Sequence, residues 1–261
     1  MPKNSHFLAF DTSTDVMSVA VTDGSRVWQH TGPGGAKAST TLIPAILALL
    51  LDAGLTLAEL DAIAFGRGPG SFSGLRTACA VAQGLAYGAG QGAGVPVLPI
   101  DTLMAVAEEA RHLKAQSPHP NPPPKGEGIE NITALLDARM DEMYVQHYAC
   151  KQGVLTPVGN CALIRPEHLM PNVATLYAGN VFTVYADKLP KDLNSIHSLP
   201  TATAMLRLAP ALAASGHGIK AELALPLYVR DKVALTTEER ELVKMLKNQT
   251  QPDPSQAPAS P

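Results

Sequence analysis

The fold of this chain is decided by residues 7–19, Phe-Leu-Ala-Phe-Asp-Thr-Ser-Thr-Asp-Val-Met-Ser-Val. Four apolar residues end at an acidic turn, and apolar and smaller residues then alternate, which is the period-two pattern of a strand. The spacing Asp11-x3-Asp15-x-Met17-x-Val19 recurs after a second apolar strand as Asp137-x3-Asp141-x-Met143-x-Val145. A strand, an acidic turn and a second strand in both halves predict an internally duplicated α/β fold.

Further elements follow from the same kind of pattern. Asp23-Gly24 is a hairpin turn that leads into a third strand, and Pro44 is compatible with the first predicted helix only near its first turn. The predicted elements are a helix at 37–53, a strand at 62–65, a helix at 73–88, a strand at 95–98 and a helix at 102–114. We expect an N-terminal lobe at 1–101, a C-terminal lobe at 102–235 and an extension at 236–261.

Composition limits the function classes. The Pro-rich residues 115–130 and the tail after about residue 247 predict disorder. A net charge of −3 without a basic stripe argues against a domain that holds nucleic acid by itself. The three cysteines show neither a disulfide framework nor a zinc motif. No signal peptide is visible, and the apolar run 42–51 is too short to span a bilayer, so we expect a cytoplasmic protein with no membrane partner.

The acidic turn is the first candidate for chemistry. Asp11, Thr12, Ser13 and Thr14 place a carboxylate and three hydroxyls at the end of a strand, where they could orient a metal-bound phosphate or a water. The alternative is a turn whose side chains bond to their own backbone, which is common for these residue types. The pattern alone favours the second interpretation.

The second candidate is the Gly-rich string 66–76, Gly-Arg-Gly-Pro-Gly-Ser-Phe-Ser-Gly-Leu-Arg, between a strand and a helix. Backbone N–H groups at Gly68, Gly70, Ser71 and Gly74 could hold an anion at the helix N-terminus. The string does not match the phosphate loops with G-x-x-x-x-G-K or G-x-G-x-x-G spacing, nor a G-x-S-x-G nucleophile elbow. Close packing of two backbones explains it equally well.

The same string resembles the signature of the TsaB (YeaZ) family. The resemblance extends to residues 10–14, 136–144 and 226–234, which stand in the family's order. It implies a duplicated actin-like fold, shared with sugar kinases and Hsp70 chaperones. It also implies a non-catalytic subunit that scaffolds and activates the catalytic subunit TsaD, which transfers threonylcarbamoyl to the adenosine adjacent to the tRNA anticodon.

The metal-holding histidine pair of TsaD has no counterpart in this sequence. Residues 37–42 of the corresponding helix contain no histidine, and the eight histidines of the chain include no pair spaced three or four apart. We therefore expect no metal site and no catalytic residues in this chain. ATP or ADP at the interface of the complex is a candidate cofactor, because the Gly-rich loop could keep its affinity for an anion.

The first helix is predicted to dock a partner. Every residue from 42 to 51 is apolar, so this helix must be covered on more than one side. The small residues of the second helix by themselves favour a core helix, and the resemblance implies that it joins the interface. The interface residues that we predict are Leu42, Ile46, Leu49 and Leu50 of the first helix and Ala78 and Val81 of the second. We expect Ile46→Asp or Leu49→Asp to abolish association without unfolding the chain.

The resemblance implies three protein partners: TsaD, the ATPase TsaE and a second copy of the chain, with tRNA contacted only through the complex. Two other function classes stay open at this point. The chain could be a nucleotide-binding phosphotransferase or ATPase that uses Asp11 and the Gly-rich loop. A metallopeptidase ranks last, because the sequence lacks H-E-x-x-H and other metal-ligand spacings.

Overall fold

The computed structural model describes residues 5–89, 94–116 and 130–230. The chain divides into a compact unit, Met1–Val229, and a second unit, Arg230–Pro261, of which the structure describes Arg230 alone. Most of the insertion predicted at 115–130, the extension predicted at 236–261 and the tail after 247 lie outside the described residues.

The first sheet has five strands. They are β1 (Phe7–Asp11), β2 (Val16–Thr22), β3 (Val27–Pro33), β4 (Ala62–Gly68) and β5 (Val97–Asp101). Their order is β3-β2-β1-β4-β5. The three strands on the β3 side are antiparallel neighbours, whereas β4 lies parallel to β1 and β5 parallel to β4.

The second sheet repeats this topology. Its strands are β6 (Asn131–Arg139), β7 (Glu142–Lys151), β8 (Val154–Ile164), β9 (Thr175–Gly179) and β10 (Ser195–His197). They are ordered β8-β7-β6-β9-β10, again with an antiparallel meander on one side and parallel pairs on the other. The predicted duplication is thereby confirmed: β6 to β10 correspond one by one to β1 to β5.

The two acidic turns correspond at the level of single hydrogen bonds. The backbone N–H of Ser13 donates to Oδ1 of Asp11 at 2.8 Å, and the N–H of Arg139 donates to Oδ1 of Asp137, also at 2.8 Å. Each aspartate therefore fixes the turn that follows the first strand of its lobe.

The helices are distributed unequally between the sheets. They are α1 (Ala38–Ala53), α2 (Phe72–Gly88), α3 (Thr102–Gln116), α4 (Val181–Val184) and α5 (Ala202–Ala214). The alternation of β1 sends Leu8 and Phe10 towards α1 and α2, and Phe7 and Ala9 towards α5. In the second lobe, α3 covers one face of the sheet and the short α4 lies on the other.

The last helix departs from the simple division of the chain at residue 101. Although α5 follows the second sheet in sequence, its Ala202, Met205 and Ala209 pack against the first sheet. The helix that follows the first sheet, α3, packs Leu103 and Val106 against the second. The two lobes thus exchange their final helices, which the local sequence pattern does not reveal.

A buried charge network joins the exchanged helices. Glu108 of α3 is 2% exposed and accepts hydrogen bonds from Nε and Nη2 of Arg111, both at 2.8 Å, and from Nε of Arg207 on α5 at 2.9 Å. Arg207 also pairs with Glu109. Since a buried carboxylate requires compensation, this pairing fixes how α3 crosses α5.

The first helix differs from expectation at Pro44. Proline lies inside α1, beyond its first turn, and removes the hydrogen bond to the carbonyl of Thr40. Thr40 and Pro44 are both exposed, so the freed carbonyl lies on the solvent side of the helix. The sheet side of the helix keeps its apolar contacts, which explains why the proline is tolerated.

Candidate functional site

The acidic turn and the Gly-rich loop meet at the carboxyl ends of β1 and β4. The backbone N–H of Ser71 donates to the carbonyl of Ser13 at 2.7 Å, and Oγ1 of Thr12 donates to the carbonyl of Gly74 at 2.7 Å. The residues that we predicted at these two places are therefore brought together. These two hydrogen bonds join the turn to the loop, and the first of them occupies the N–H of Ser71.

The Asp11 carboxylate is enclosed at the centre of this contact. It is fully buried, and Oδ1 accepts hydrogen bonds from the N–H and Oγ of Ser13, at 2.8 and 2.6 Å. Thr102, at the start of α3, donates to Oδ2 at 3.5 Å. Burial raises the pKa of Asp11 from 3.8 to about 6, although the bonds from Ser13 and Thr102 oppose the rise. A carboxylate in this position supports the turn.

Thr102 is a contact that the sequence analysis did not identify. It directly follows β5, and the carboxyl ends of parallel strands meet at one edge of a sheet. The position of a hydroxyl residue immediately after a parallel strand was the available signal.

The glycines of the loop allow close backbone approach. A Cβ at Gly70 would lie 2.6 Å from the carbonyl oxygen of Ser13, and a Cβ at Gly74 would overlap the carbonyl oxygen of Thr12. Gly68 has φ +119°, and a Cβ there would lie 2.5 Å from the carbonyl oxygen of Leu227. The geometry thus supports the close-packing interpretation that the sequence left open.

The segment 226–228 closes the loop from outside. The N–H of Leu227 donates to the carbonyl of Arg67 at 2.7 Å. Tyr228 lies against Phe72 with ring centroids 5.2 Å apart, and the guanidinium of Arg76 lies 3.9 Å above the Phe72 ring. These three side chains form an exposed, pre-ordered cluster at the start of α2.

The structure corrects most of the predicted interface residues. Five of the six are buried inside the chain itself: Leu42 at 0%, Ile46 at 0%, Leu49 at 7%, Leu50 at 4% and Ala78 at 0% exposure. They pack against the first sheet, so they cannot line a docking surface. The sixth, Val81, is partly buried. The expectation that Ile46→Asp or Leu49→Asp preserves the fold is therefore wrong.

The same helices nevertheless present an apolar surface through other residues. Ile43, Leu47 and Leu51 of α1 are 44%, 51% and 80% exposed. Their spacing of four residues places them on one side of the helix. On α2 the exposed stripe consists of Phe72, Arg76, Ala80, Gly84 and Tyr87. We call these two sets together the α1–α2 face.

The length and apolarity of the first helix also bear on membranes. The segment Gly35–Ala53 has a mean hydropathy of 1.4 and is long and apolar enough to cross a bilayer. The run 42–51, which by itself is too short to do so, is only part of this segment. Core helices of soluble proteins meet the same criterion, and four of its leucine and isoleucine side chains lie in the core of the first lobe.

Two cavities lie away from Asp11 and the Gly-rich loop. One of about 570 Å³ lies beside α5, and one of about 330 Å³ lies beside the β6–β7 turn. Within 5–89, 94–116 and 130–230, no group of three or more His, Cys, Asp or Glu side chains is placed to hold a metal ion.

Comparison with known proteins supplies the family. The family model described as "TsaD: tRNA N6-adenosine threonylcarbamoyltransferase" matches residues 33–256. A protein of Haemophilus influenzae named "tRNA threonylcarbamoyladenosine biosynthesis protein TsaB" is 32% identical over 244 residues, which cover 88% of this chain and 96% of that protein. The protein of the same name from Escherichia coli is 30% identical over 238 residues, 87% of this chain and 95% of its own.

A solved structure agrees. YeaZ from Pseudomonas aeruginosa superposes with a TM-score of 0.73 and 36% identity, over 86% of this chain and all of that one. The chain belongs to the TsaB family. Its fold is the duplicated, two-lobed actin-like fold that the resemblance implied, and its relatives are tRNA threonylcarbamoyladenosine biosynthesis proteins.

In this member of the TsaB family three of the four matching blocks touch one another. Blocks 10–14 and 66–76 form the backbone contact around Asp11, and residues 226–228 pack on the second of them. Block 136–144 reaches the first lobe through Arg139, whose Nη2 donates to Oδ2 of Asp15 at 2.6 Å. Of block 226–234, residues 231–234 lie outside the described part of the chain.

Proposed function

We propose that this chain is the non-catalytic subunit that scaffolds and activates a TsaD-type catalytic subunit during threonylcarbamoyl transfer to the adenosine adjacent to the tRNA anticodon. Membership in the TsaB family supports the pathway. The enclosure of Asp11 supports a structural use of the acidic turn, because a reacting phosphate or water has no room beside a fully buried carboxylate bonded to Ser13 and Thr102.

The observation that carries the proposal is the apolar side of α1. Ile43, Leu47 and Leu51 form an exposed row, and Leu51 is 80% accessible. A contiguous apolar row on a helix is unfavourable in water and marks a surface that another protein covers. The catalytic subunit is the proposed occupant, since its family model matches this chain and a related fold would offer a similar helix pair.

The remaining partners are proposed on the same basis. A second copy of the chain and the ATPase TsaE would join the assembly, and tRNA would be contacted only through the complex. The net charge of −3 supports an indirect role towards RNA, because phosphate binding depends on clustered Lys and Arg. ATP or ADP, where bound, would lie at the interface of the complex.

Reconstitution tests this proposal. Purified catalytic subunit, ATPase, threonylcarbamoyl-adenylate and unmodified tRNA are combined with and without this chain, and modified adenosine is quantified. We expect modification to fall to background when the chain is omitted. Full modification without the chain, or nucleotide turnover by the chain alone at an ordinary enzymatic rate that is lost in Asp11→Asn, would contradict the proposal.

Gly84 provides a second test. It lies inside α2, is exposed, and has no neighbouring atom within 4 Å of the position of a Cβ. Glycine inside a helix is about 1 kcal/mol less favourable than alanine, and no contact of the free chain compensates for it. We expect Gly84→Ala to raise the free energy of unfolding of the free chain by about 1 kcal/mol and to weaken its association.

Urea unfolding and titration with the catalytic subunit measure the two effects. Gly54→Ala is the matched control, because Gly54 also has open space around its Cβ position but ends α1 with φ +65°. That variant should lose stability and keep its affinity. If Gly84→Ala associates as tightly as the unsubstituted chain, a closely packed partner at α2 is excluded.

A further inference from the structure

One edge of the first sheet is a strand that is open to further pairing. Strand β3 lies at this edge, next to β2. Its register with β2 is regular from Val27 to Pro33. It contains no Asp, Glu, Lys or Arg, and its one proline is the terminal Pro33. A row of backbone N–H and C=O groups therefore faces outward along a regular edge, which is the arrangement that accepts an additional strand.

The other three sheet edges in the described part of the chain are protected against such pairing. Strand β8, the counterpart of β3, contains Pro157 and an irregularity in its pairing around Gly159. Strand β5 contains Pro99 and is covered by Ile219, whose N–H and C=O both bond to Val97 at 2.9 Å. Strand β10 has three residues. Since proline, bulges, a covering segment and short length all protect an edge, β3 is an exception in this molecule.

A cavity of about 570 Å³ opens between β3 and the helix α5. Phe7 and Leu206 line it and are 3% and 6% exposed, whereas Val27 and Pro210, which also line it, lie nearer the solvent. Because proline has no N–H, Pro210 cannot donate the helical hydrogen bond to the carbonyl of Leu206. The cavity therefore combines apolar walls with a backbone carbonyl that lacks its usual helical donor.

The cavity lies where an added strand would direct its side chains. Val27 and Gln29 both line it and, as alternate residues, point to one face of the sheet. Gln29 pairs with Ala20, which packs on the α5 side. A strand that extended the sheet beyond β3 would place every second side chain on this same face. The opposite face carries α1 and α2, so this site is separate from the α1–α2 face.

The charges beside the cavity compensate one another. Arg207 is the one charged residue among the described residues that line it. Its Nε and Nη2 donate to Glu108 and Glu109, and Arg111 also pairs with Glu108, so two guanidinium groups face two carboxylates. Nη1 of Arg207 keeps its donors without a partner in the described part of the chain. A neutral ligand with C=O and N–H groups, such as a peptide backbone, matches these donors and the carbonyl of Leu206.

We propose that β3 and the cavity bind an extended, uncharged segment of another protein, which adds a strand to the first sheet and places an apolar side chain in the cavity. Backbone hydrogen bonds to β3 would supply affinity, and the cavity would select the side chain. The open edge specifies an extended backbone. The apolar walls and the compensated charges specify an apolar, neutral side chain.

A displayed library of random dodecapeptides, selected on the purified chain, supplies the probe. We expect the enriched peptides to share an apolar residue and to carry few charges. The strongest binder is synthesised with a fluorescent label, and its dissociation constant is measured by fluorescence anisotropy. A selection that yields no specific binder, or binders that share a charged residue, overturns the inference.

Val27→Asp and His30→Asp are matched variants on exposed positions of β3. Val27 lines the cavity, whereas His30 pairs with Val19 and points to the opposite face of the sheet. Val27→Asp would bury a carboxylate against the apolar side chain of the peptide and should weaken its binding about tenfold or more. His30→Asp should bind the peptide as the unsubstituted chain does. Thermal melts verify that both variants are folded, and equal binding by the two folded variants contradicts the site.

Methylation of single backbone nitrogens of the peptide makes the test specific to strand pairing. Each methyl group removes one N–H donor and leaves the side chains unchanged. In an added strand the N–H groups face β3 at every second residue. Methylation should therefore weaken binding about tenfold at alternate positions and have little effect at the positions between them. A loss at every position, at none, or at every third or fourth position shows a different binding mode and overturns the inference.

A second copy of the chain is the competing occupant of the β3 edge. If β3 paired with β3 of another copy, analytical ultracentrifugation would show a dimer that Val27→Asp and the peptide both dissociate, and this result would overturn the inference. Reconstitution of tRNA modification with the unsubstituted chain needs no peptide and reports only on the proposed function. The two proposals can therefore fail separately.

Discussion

Leu47→Asp is expected to leave this chain folded and to abolish its support of tRNA modification. Leu47 lies at the middle of the exposed row of α1 and is 51% accessible, so a carboxylate at this position remains hydrated in the free chain. In a docked complex the same carboxylate would be covered by apolar side chains without a partner. That desolvation costs about 3 kcal/mol or more, which corresponds to a loss in affinity of roughly a hundredfold.

Two variants provide matched controls. Ile46, the preceding residue, is fully buried against the first sheet, and Ile46→Asp should therefore lower stability by about 4 kcal/mol or more and unfold much of the chain. Val173 is 100% exposed on the second lobe, and Val173→Asp should change neither stability nor association. Circular dichroism melts measure folding, and co-elution with the catalytic subunit measures binding.

The three variants distinguish surface from core on adjacent residues. A folded Leu47→Asp chain that binds and supports modification at the unsubstituted level would show that the α1–α2 face is not the docking surface. An Ile46→Asp chain that melts normally would instead contradict the packing of α1 on the sheet. Loss of association in Val173→Asp would place the partner on the other lobe.

Much of the architecture could be predicted because it depends on local pattern. The period-two alternation from Val16 and the acidic turn before it recur after the insertion, and the two sheets share one topology as a result. The exchange of α3 and α5 could not be predicted in this way. Which sheet α5 covers depends on which sheet face the distant elements leave open. The sequence pattern of α5 itself does not specify that face.

The orientation of α1 shows a different limit. Its apolar run contains no polar side, so periodicity indicates that the helix is covered on several sides and does not say which residues face inward. The sheet selects Leu42, Ile46 and Leu49 for the core and leaves Leu47 and Leu51 outside. The apolar pattern therefore indicated which helix could be a docking surface. It did not indicate which residues of that helix are exposed, and the residues predicted for the interface are wrong.

The chemistry of Asp11 was left open for a comparable reason. A carboxylate followed by three hydroxyl residues is equally compatible with a ligand site and with a satisfied turn. The groups that decide between them, Thr102 and the loop around Gly66, are distant in sequence. Only the folded structure shows that they surround the carboxylate.

Asp11→Asn is expected to stabilise the chain at neutral and alkaline pH. The pKa of Asp11 is 3.8 in the unfolded chain and about 6 in the folded chain. Between these two pH values the folded state therefore holds a proton on Asp11 that the unfolded state has already released. The stability that this proton provides is fully present below about pH 4 and declines as pH rises through about 6. Above that range the buried charge costs up to about 3 kcal/mol.

Asparagine removes this charge and keeps most of the contacts. Its amide oxygen can accept the two hydrogen bonds from Ser13, and its amide group can donate to the hydroxyl of Thr102, which then accepts. The difference in unfolding free energy between Asp11→Asn and the unsubstituted chain should thus grow from near zero at pH 4 to a plateau above pH 7. Urea unfolding at several pH values measures this difference, and other titrating groups cancel in the comparison.

The same variant separates the two functions that the sequence left open. If Asp11 oriented a metal-bound phosphate or a water, Asp11→Asn would lose activity, because an amide is a weaker ligand and cannot act as a base. If Asp11 only supports the turn, the variant should sustain full tRNA modification in the reconstituted system while melting at a higher temperature at pH 8. If Asp11→Asn stabilises the chain and abolishes tRNA modification, the buried charge of Asp11 is required for chemistry. If Asp11 only supports the turn, removing its charge stabilises the chain and leaves modification intact.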